Sequence, residues 1–558
     1  MAAKGATDGR VLTWFAGISL AVVVVVPFVF IVLQAIFPNF AGGSFDAPFV
    51  HLVEVLADPT LIRMAGNTLA LGAAVMAIAT LIAVPLALVR ALFRVPMARL
   101  WDLVMLVPFM IPPYIATLGW IMTAQPRGYL QQLAGFNLAP VLFSFWGTAA
   151  IMAFATFPLV YFAVSRTVEA VGSRYADVAR VFGADARRAL WRVTLPLSTP
   201  GLAASLLLVF AATIEEYGTP TALGRRTGFK VLVVGIDQRV SDFPIDLPGA
   251  ATMALLLVLL SFGAFLVQRW IVARRSYETT GSKPTVTQKR ELGRWTVPVL
   301  ALFALVGLLS VAVPIFAVLA TALSRTISGG LLKPGNLGLD GFAAVLEDPT
   351  GGLSALANSF SLGLATALLT GLIGAIAAYV VTQTRVRGRL LIDALTVLPN
   401  ALPGIVVAVG LILAWNQPFL PVSPYNTPLI LLLAYCCILL PHPVRYATAA
   451  FQQIGGNLEA AARVAGAGRL TAFRRILLPL IAPSLIASML LVFAVASREL
   501  VASVLVAPVG MWTISTFIWR QFEQGSIQQG MAMAFIAIVL TTLLPLAVLG
   551  LMRRSDIL

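Results

Sequence analysis

The chain has 558 residues, of which 59% are hydrophobic and 11% charged, with a formal net charge of +15. A soluble domain of that length cannot bury so much apolar surface, so the composition excludes a water-soluble enzyme and predicts an integral membrane protein. The positive charge gathers in short segments between apolar runs, which points to lipid heads and not to nucleic acid as what it meets.

Runs long enough to cross a bilayer as helices, about 20 residues each, centre on residues 11–37, 68–89, 100–124, 143–164, 201–223 and 250–267, and then on 297–323, 359–381, 391–415, 428–444, 484–506 and 531–551. The reading is an all-α membrane protein of about twelve transmembrane helices, six in each half. Only two basic residues precede the first run and no small-residue cleavage site follows it, so it reads as a retained first span. With both termini on the cytoplasmic side, 28 of the 38 Lys and Arg fall inside, which fixes the expected orientation.

A polar loop over 269–295 carries Gly281, Ser282 and Pro284 and joins the halves, with the boundary near Lys283, giving expected domains of 1–282 and 283–558. Its basic pairs, Arg274 with Arg275 and Lys289 with Arg290, read as anchors of the neighbouring spans at the lipid interface, a regulatory contact being the alternative. Cys436 and Cys437 are adjacent inside the tenth span and read as small apolar residues. His51 and His442 are isolated; neither is expected to bind metal.

The halves are copies. At an offset of 291 positions Asn67 falls on Asn358, Asp102 on Asp393, Pro108 on Pro399, Pro112 on Pro403 and Gly119 on Gly410. At an offset of 283, Pro158 falls on Pro441, Phe210 on Phe493 and Glu216 on Glu499. An even number of spans per copy gives both one orientation, as in parallel-repeat transporters, with a pathway expected between them.

The most informative repeat lies in the loops before the fifth and eleventh spans, over 175–202 and 458–485. They align without a gap, so that Arg180, Gly183, Ala184, Arg192, Leu195, Pro196 and Pro200 meet Arg463, Gly466, Ala467, Arg475, Leu478, Pro479 and Pro483. Residues 177–182 and 459–465 are rich in alanine and predict a helix of a turn or two. The glycine predicts the turn that ends it. Arg187, Arg188 and Arg192, or Arg469, Arg474 and Arg475, predict a second helix at the lipid surface, and Leu-Pro a break before re-entry. An interfacial loop with no partner is the plain alternative.

Charges inside spans are the other signal. Glu215 and Glu216 are expected in the outer part of the fifth span, with Arg498 and Glu499 in the equivalent place of the eleventh. An ionisable group at that depth is expensive and turns toward a partner or a wet cavity. Two readings follow, a salt-bridge cluster that closes an outer gate at rest or direct contact with a passing solute.

The paired loops resemble the EAA motif of permease subunits of binding-protein-dependent ABC importers, in which a glycine is followed after nine residues by IxLP. Gly466 is followed by Ile476, Leu478 and Pro479, and Gly183 by Val193, Leu195 and Pro196. The family's glutamate is replaced by Asp177 in the first copy and by Ala460 in the second, where Glu459 stands one residue early. The resemblance covers about 190 residues in each half. It implies a bacterial inner-membrane permease that is not itself an enzyme and has no cofactor. Its implied partners are two ABC ATPase subunits, docked at Asp177, Arg180, Gly183, Ala184, Leu195, Pro196 and at Glu459, Arg463, Gly466, Ala467, Leu478, Pro479, together with an extracytoplasmic solute-binding protein.

The chain holds no phosphate-cradling GxxxxGK[ST] segment, and its five lysines, at 4, 230, 283, 289 and 333, do not follow such a loop. ATP hydrolysis is therefore expected on separate subunits. A single chain with two such loops is similar to bacterial ferric-iron permeases and to fused permeases for thiamine or phosphonates. The runs EEYGTPTALG from Glu215 and ELVASVLVAPVG from Glu499 look most like the ferric-iron group. The implied cargo is ferric iron, the alternatives being thiamine, phosphonate, polyamine or a phosphorylated small molecule. A self-contained secondary transporter is the rival class. Its GxxxDRxGRR signature is expected after the second span of a half, where this chain reads RALFRVPMAR and TRVRGR.

Overall fold

The computed structural model describes residues 2–171, 178–179, 181–274, 289–327, 329–417, 423–454 and 457–554. Eight helices in it are long and apolar enough to cross a membrane: Arg10–Ile36, Pro59–Leu92, Phe145–Glu169, Leu190–Glu215, Leu247–Ile271, Gly293–Leu323, Gly352–Gln383 and Arg469–Ala496. They stand where the sequence places spans one, two, four to eight and eleven. A shorter apolar helix, Ile527–Thr542, stands at the twelfth.

The third, ninth and tenth spans are not straight. Ala98–Met110 and Pro113–Ala134 meet at 95°, Arg389–Ala401 and Gly404–Trp415 at 113°, and Pro428–Leu439 and Pro441–Ile454 at 45°. Proline sets the two sharp bends. A residue before proline is pushed out of the helical region, and Ile111 before Pro112 (ψ 127°) and Leu402 before Pro403 (ψ 106°) are both extended. Pro158, alone in the fourth span, leaves its helix unbroken, whereas Pro441 and Pro443 together bend the tenth.

Leu-Pro does not break the chain before the fifth and eleventh spans. The π-helical turns Leu190–Thr194 and Phe473–Leu477 carry the helix through, so these spans begin earlier than expected. The first and seventh spans contain the same device at Ala21–Val25 and Leu308–Ala312. In all four the proline, Pro27, Pro196, Pro314 or Pro479, lies two residues past the turn. The last N–H before it bonds five residues back, as Leu195 does to Leu190. A wider turn moves the preceding carbonyls away from the pyrrolidine ring and tolerates its missing donor.

Two compact units form. One contains Met1–Leu61, Gly235–Val258 and Leu339–Leu558, the other Ile62–Val234 and Leu259–Gly338. Each unit thus takes the first span of the opposite sequence half. Within the first, a Cβ on Gly410 would lie 2.6 Å from the carbonyl oxygen of Pro27; within the second, a Cβ on Gly119 would lie 2.8 Å from that of Pro314. The two glycines fall on each other in the duplication, and each admits the backbone of a first span.

The turns that open the second and eighth spans are duplicated as well. Asp58 accepts from the Thr60 N–H at 2.8 Å, and Asp348 from the N–H groups of Thr350 and Gly351 at 3.1 and 2.9 Å. Bonds from Gly351 and from the Thr350 side chain hold the Asp348 carboxyl below its usual range. Cys436 and Cys437 are buried and unbonded to each other.

Candidate functional site

The loop segment of the second half is built from the helix Asn457–Val464. It ends as the glycine predicted. The Gly466 N–H donates to the Arg463 carbonyl and the Ala467 N–H to the Ala462 carbonyl, both at 3.0 Å, while Gly466 takes φ +88°. These two bonds define a Schellman cap, in which the residue after the glycine closes onto the last turn. In the first half Gly183 has φ +87° and the Ala184 N–H donates to the Ala179 carbonyl at 3.0 Å, the equivalent bond. Asp177 and Arg180 lie outside the described residues. Leu195 with Pro196, and Leu478 with Pro479, open the α-helical part of the following span after their π-turns.

Both loops expose bulky apolar side chains. Val181 and Phe182 are 84% and 86% exposed and Val464 is 91% exposed. Val181 and Val464 occupy equivalent positions two before the glycine. A helix of this size has no core of its own to bury such groups, which makes them candidates for contact with a partner or with lipid. Sequence reasoning missed them because it followed polar and glycine positions; the signal was an apolar residue where the helix has nothing to pack on. In the first loop Asp185, Arg188, Trp191 and Arg192 line a hollow of about 390 Å³.

Glu459 points the other way. It is buried, and its carboxylate accepts from the Tyr379 hydroxyl at 3.1 Å, tying the loop helix to the eighth span. Arg463 is exposed on the same helix.

The four charged positions expected inside spans lie at helix ends instead. Glu215 is the last residue of its helix and Glu216 follows it; Arg498 and Glu499 follow the helix that ends at Ala496. Each unit holds one pair. The Glu216 carboxylate accepts from the Thr219 N–H at 2.9 and 3.1 Å, and the Glu499 carboxylate from the N–H groups of Ala502, at 3.1 Å, and Ser503, at 3.2 Å. Both glutamates therefore cap the short helices Gly218–Thr227 and Val501–Val506, whose first N–H groups have no partner within the helix. Charge accepting backbone N–H groups explains how a carboxylate is held there. Next to the first cap, the Thr219 hydroxyl shares a 2.8 Å hydrogen bond with Thr117 of the third span; next to the second, Ser503 shares one of 2.7 Å with Tyr435 of the tenth. Among the described residues no three His, Cys, Asp or Glu gather closely enough to hold a metal ion.

The family described as the binding-protein-dependent transport system inner membrane component matches this chain twice, over residues 83–277 and 370–556. The chain belongs to that family. It is a multi-span permease of ABC-importer type with two fused copies of the domain, and both matches begin after the first span of their half, the span that changes units. It is 24% identical over 538 residues to the ferric transport system permease protein FbpB of Actinobacillus pleuropneumoniae, covering 94% of this chain and 76% of that protein. Similarity to the Fe(3+)-transport system permease protein FbpB 2 of Haemophilus influenzae runs at 23% over 494 residues, 88% of this chain and 89% of that one. The molybdenum transport system permease protein ModB of Escherichia coli is 28% identical over 196 residues, 35% of this chain and 84% of its own length.

Proposed function

We propose that this chain is the permease of an ATP-driven ferric-iron importer of a bacterial inner membrane, with both termini cytoplasmic. Two ABC ATPase subunits dock on its two capped loops and carry out the hydrolysis, for which the permease has no site. An extracytoplasmic binding protein delivers the ion. The observation that carries the reading is the pair of equivalent glycine-terminated turns with Val181, Phe182 and Val464 exposed beside them. They have the form of two knobs that fit grooves on two copies of one partner. The iron assignment is supported by relatives whose names specify ferric transport and which cover most of both chains; the ModB match covers 35% of this chain.

Glu215, Glu216, Arg498 and Glu499 fit an outer gate closed at rest. Their glutamates organise the chain where the fifth and eleventh helices stop.

Reconstitution tests this function. Purified permease in proteoliposomes is expected to take up radioactive iron only with its ATPase, ATP and the iron-loaded binding protein. A proton or sodium gradient imposed on the lone chain should drive none. Gradient-driven uptake would sink the importer reading in favour of a secondary transporter, and ATP-dependent uptake of molybdate or phosphonate without iron would overturn the cargo alone.

A further inference from the structure

The segment that returns from the inter-half linker is bonded to protein. Lys289 Nζ donates to Glu169 Oε1 at 2.7 Å and to the Arg90 carbonyl at 3.0 Å. Arg290 and Glu291 then pair in parallel with Phe93 and Arg94, and Arg94 donates to Glu291 at 2.9 Å. Leu292 is buried directly after.

The lysine enters an ionic knot. Arg90 grips Asp102 through Nε at 3.0 and 3.1 Å and Nη2 at 2.7 Å, and its Nη1 lies 3.5 Å from Glu169. The Tyr161 hydroxyl donates to Asp102 at 2.8 Å. Five side chains so join the end of the second span, the start of the third, the end of the fourth and the linker. Glu169 stands six residues before Tyr175, where the first docking loop begins.

This knot belongs to one half. The equivalents of Arg90, Tyr161 and Glu169 are Val381, Val444 and Gln452, and only Asp102 has its counterpart, Asp393. The charges that receive the linker lysine are thus present in the half that the linker reaches, while the second loop is fastened by Glu459 and Tyr379. Side-chain exposures of 19–39% in the knot leave each pair little value as a source of stability. Their geometry, a two-toothed Arg–carboxylate grip with a lysine bridging two acceptors, is suited to fixing position.

We propose that Lys289 and Glu169 are positioning residues for the first docking loop. The linker's return segment straps the loop end of the fourth span to the second and third, so that force applied at the loop moves these spans as one body. This rests on the importer reading above. The test is transport per ATP hydrolysed in the reconstituted complex. Lys289→Met and Glu169→Gln are each expected to lower that ratio about five-fold with ATP hydrolysis retained, and the double variant to lose less than the product of the two single losses, because both changes remove the Lys289–Glu169 contact. Lys289→Arg should keep the ratio. An unchanged ratio in Lys289→Met, or additive losses in the double variant, overturns the strap. A mere loss of folded protein at constant ratio does the same, since a purely stabilising contact would give that result. The double variant Gly183→Val with Gly466→Val separates the two proposals: if it transports normally, the docking-loop reading itself fails, whereas its inactivity beside a normal Lys289→Met sinks the strap alone.

Discussion

The side-chain amide of Asn67 donates to the backbone carbonyl of Lys230 at 2.8 Å. Its duplicate Asn358 does the same to Trp512 at 2.9 Å. The next residue in each copy supplies an acceptor: Thr68 takes the Leu232 N–H at 3.0 Å and Ser359 the Ile514 N–H at 2.8 Å. Two adjacent side chains on the second or eighth span therefore fasten the start of a short helix, Leu232–Ser241 or Ile514–Gln524. The duplication preserves a clamp, and preserves both its donor and its acceptor.

Breaking the clamp at its buried hydroxyl should hurt more than breaking it at the amide. Thr68→Val and Ser359→Ala each leave a buried N–H without an acceptor, a cost of about 1–3 kcal/mol. Asn67→Ala exposes a carbonyl that water can reach and should cost below about 1 kcal/mol. Thermal unfolding of the purified protein in detergent checks the order. Equal losses at Asn67 and Thr68 would show that burial does not set the cost.

The exchanged first spans give a second prediction. Gly119→Ala and Gly410→Ala place a methyl group 2.8 and 2.6 Å from the carbonyl oxygens of Pro314 and Pro27. Backbone must move, and overpacking of this kind costs about 1–3 kcal/mol. Both variants should unfold at lower temperature, whereas Gly263→Ala, with open space around its Cβ, should not. A wild-type melting temperature for Gly410→Ala would mean that the first span does not sit against it.

How far the sequence reached depended on whether a residue's effect was local. The glycines of the two loops announced their positive φ, because few other residues adopt it, and the turns came out as expected. Pro112 and Pro403 were visible as duplicated positions, yet nothing in an apolar run says that a proline will bend it by about a right angle, as at 95° and 113° here, and not leave the helix continuous, as at Pro158. Leu-Pro suggested a break and produced a π-turn. The exchange of first spans could not be read at all: residues 11–37 are apolar all round, so no polar face points to a neighbour. Lys289 looked like a lipid anchor because its partners, Arg90 and Glu169, lie 199 and 120 positions away. The four charges near the ends of the fifth and eleventh spans were found by composition, but their place at a helix stop depended on where the helices began.

The two glycine-ended loops separate conformation from contact. No atom lies within 4 Å of a Cβ placed on Gly183 or Gly466, so substitution there acts through the backbone and not through a clash. Asparagine tolerates the left-handed region and valine does not. Gly183→Asn with Gly466→Asn should keep most ATP-dependent uptake, and the double valine variant should lose nearly all of it while still reaching the membrane. Phe182→Asp and Val464→Asp leave the turn intact and remove apolar contact; they should weaken copurification of the ATPase. Full ATPase binding by the aspartate variants would place the docking surface elsewhere.

The caps at Glu216 and Glu499 allow three readings to be told apart by two substitutions. Glutamine keeps an oxygen that accepts the N–H groups of Thr219, or of Ala502 and Ser503, but discards the charge; alanine removes both, at a cost of about 0.5–2 kcal/mol for a lost cap. If the cap holds the outer gate shut, Glu216→Ala and Glu499→Ala should raise ATP hydrolysis in the absence of binding protein, and the glutamine variants should stay near wild type. A gate that depends on charge pairing would raise hydrolysis in both substitutions. Contact with a passing ferric ion would instead slow uptake in the glutamine variants, with basal hydrolysis and binding-protein docking unchanged. The backbone bonds at 2.9 to 3.2 Å favour the first outcome. Slowed uptake with quiet basal hydrolysis in Glu499→Gln would show that the carboxylate serves the solute and not the helix.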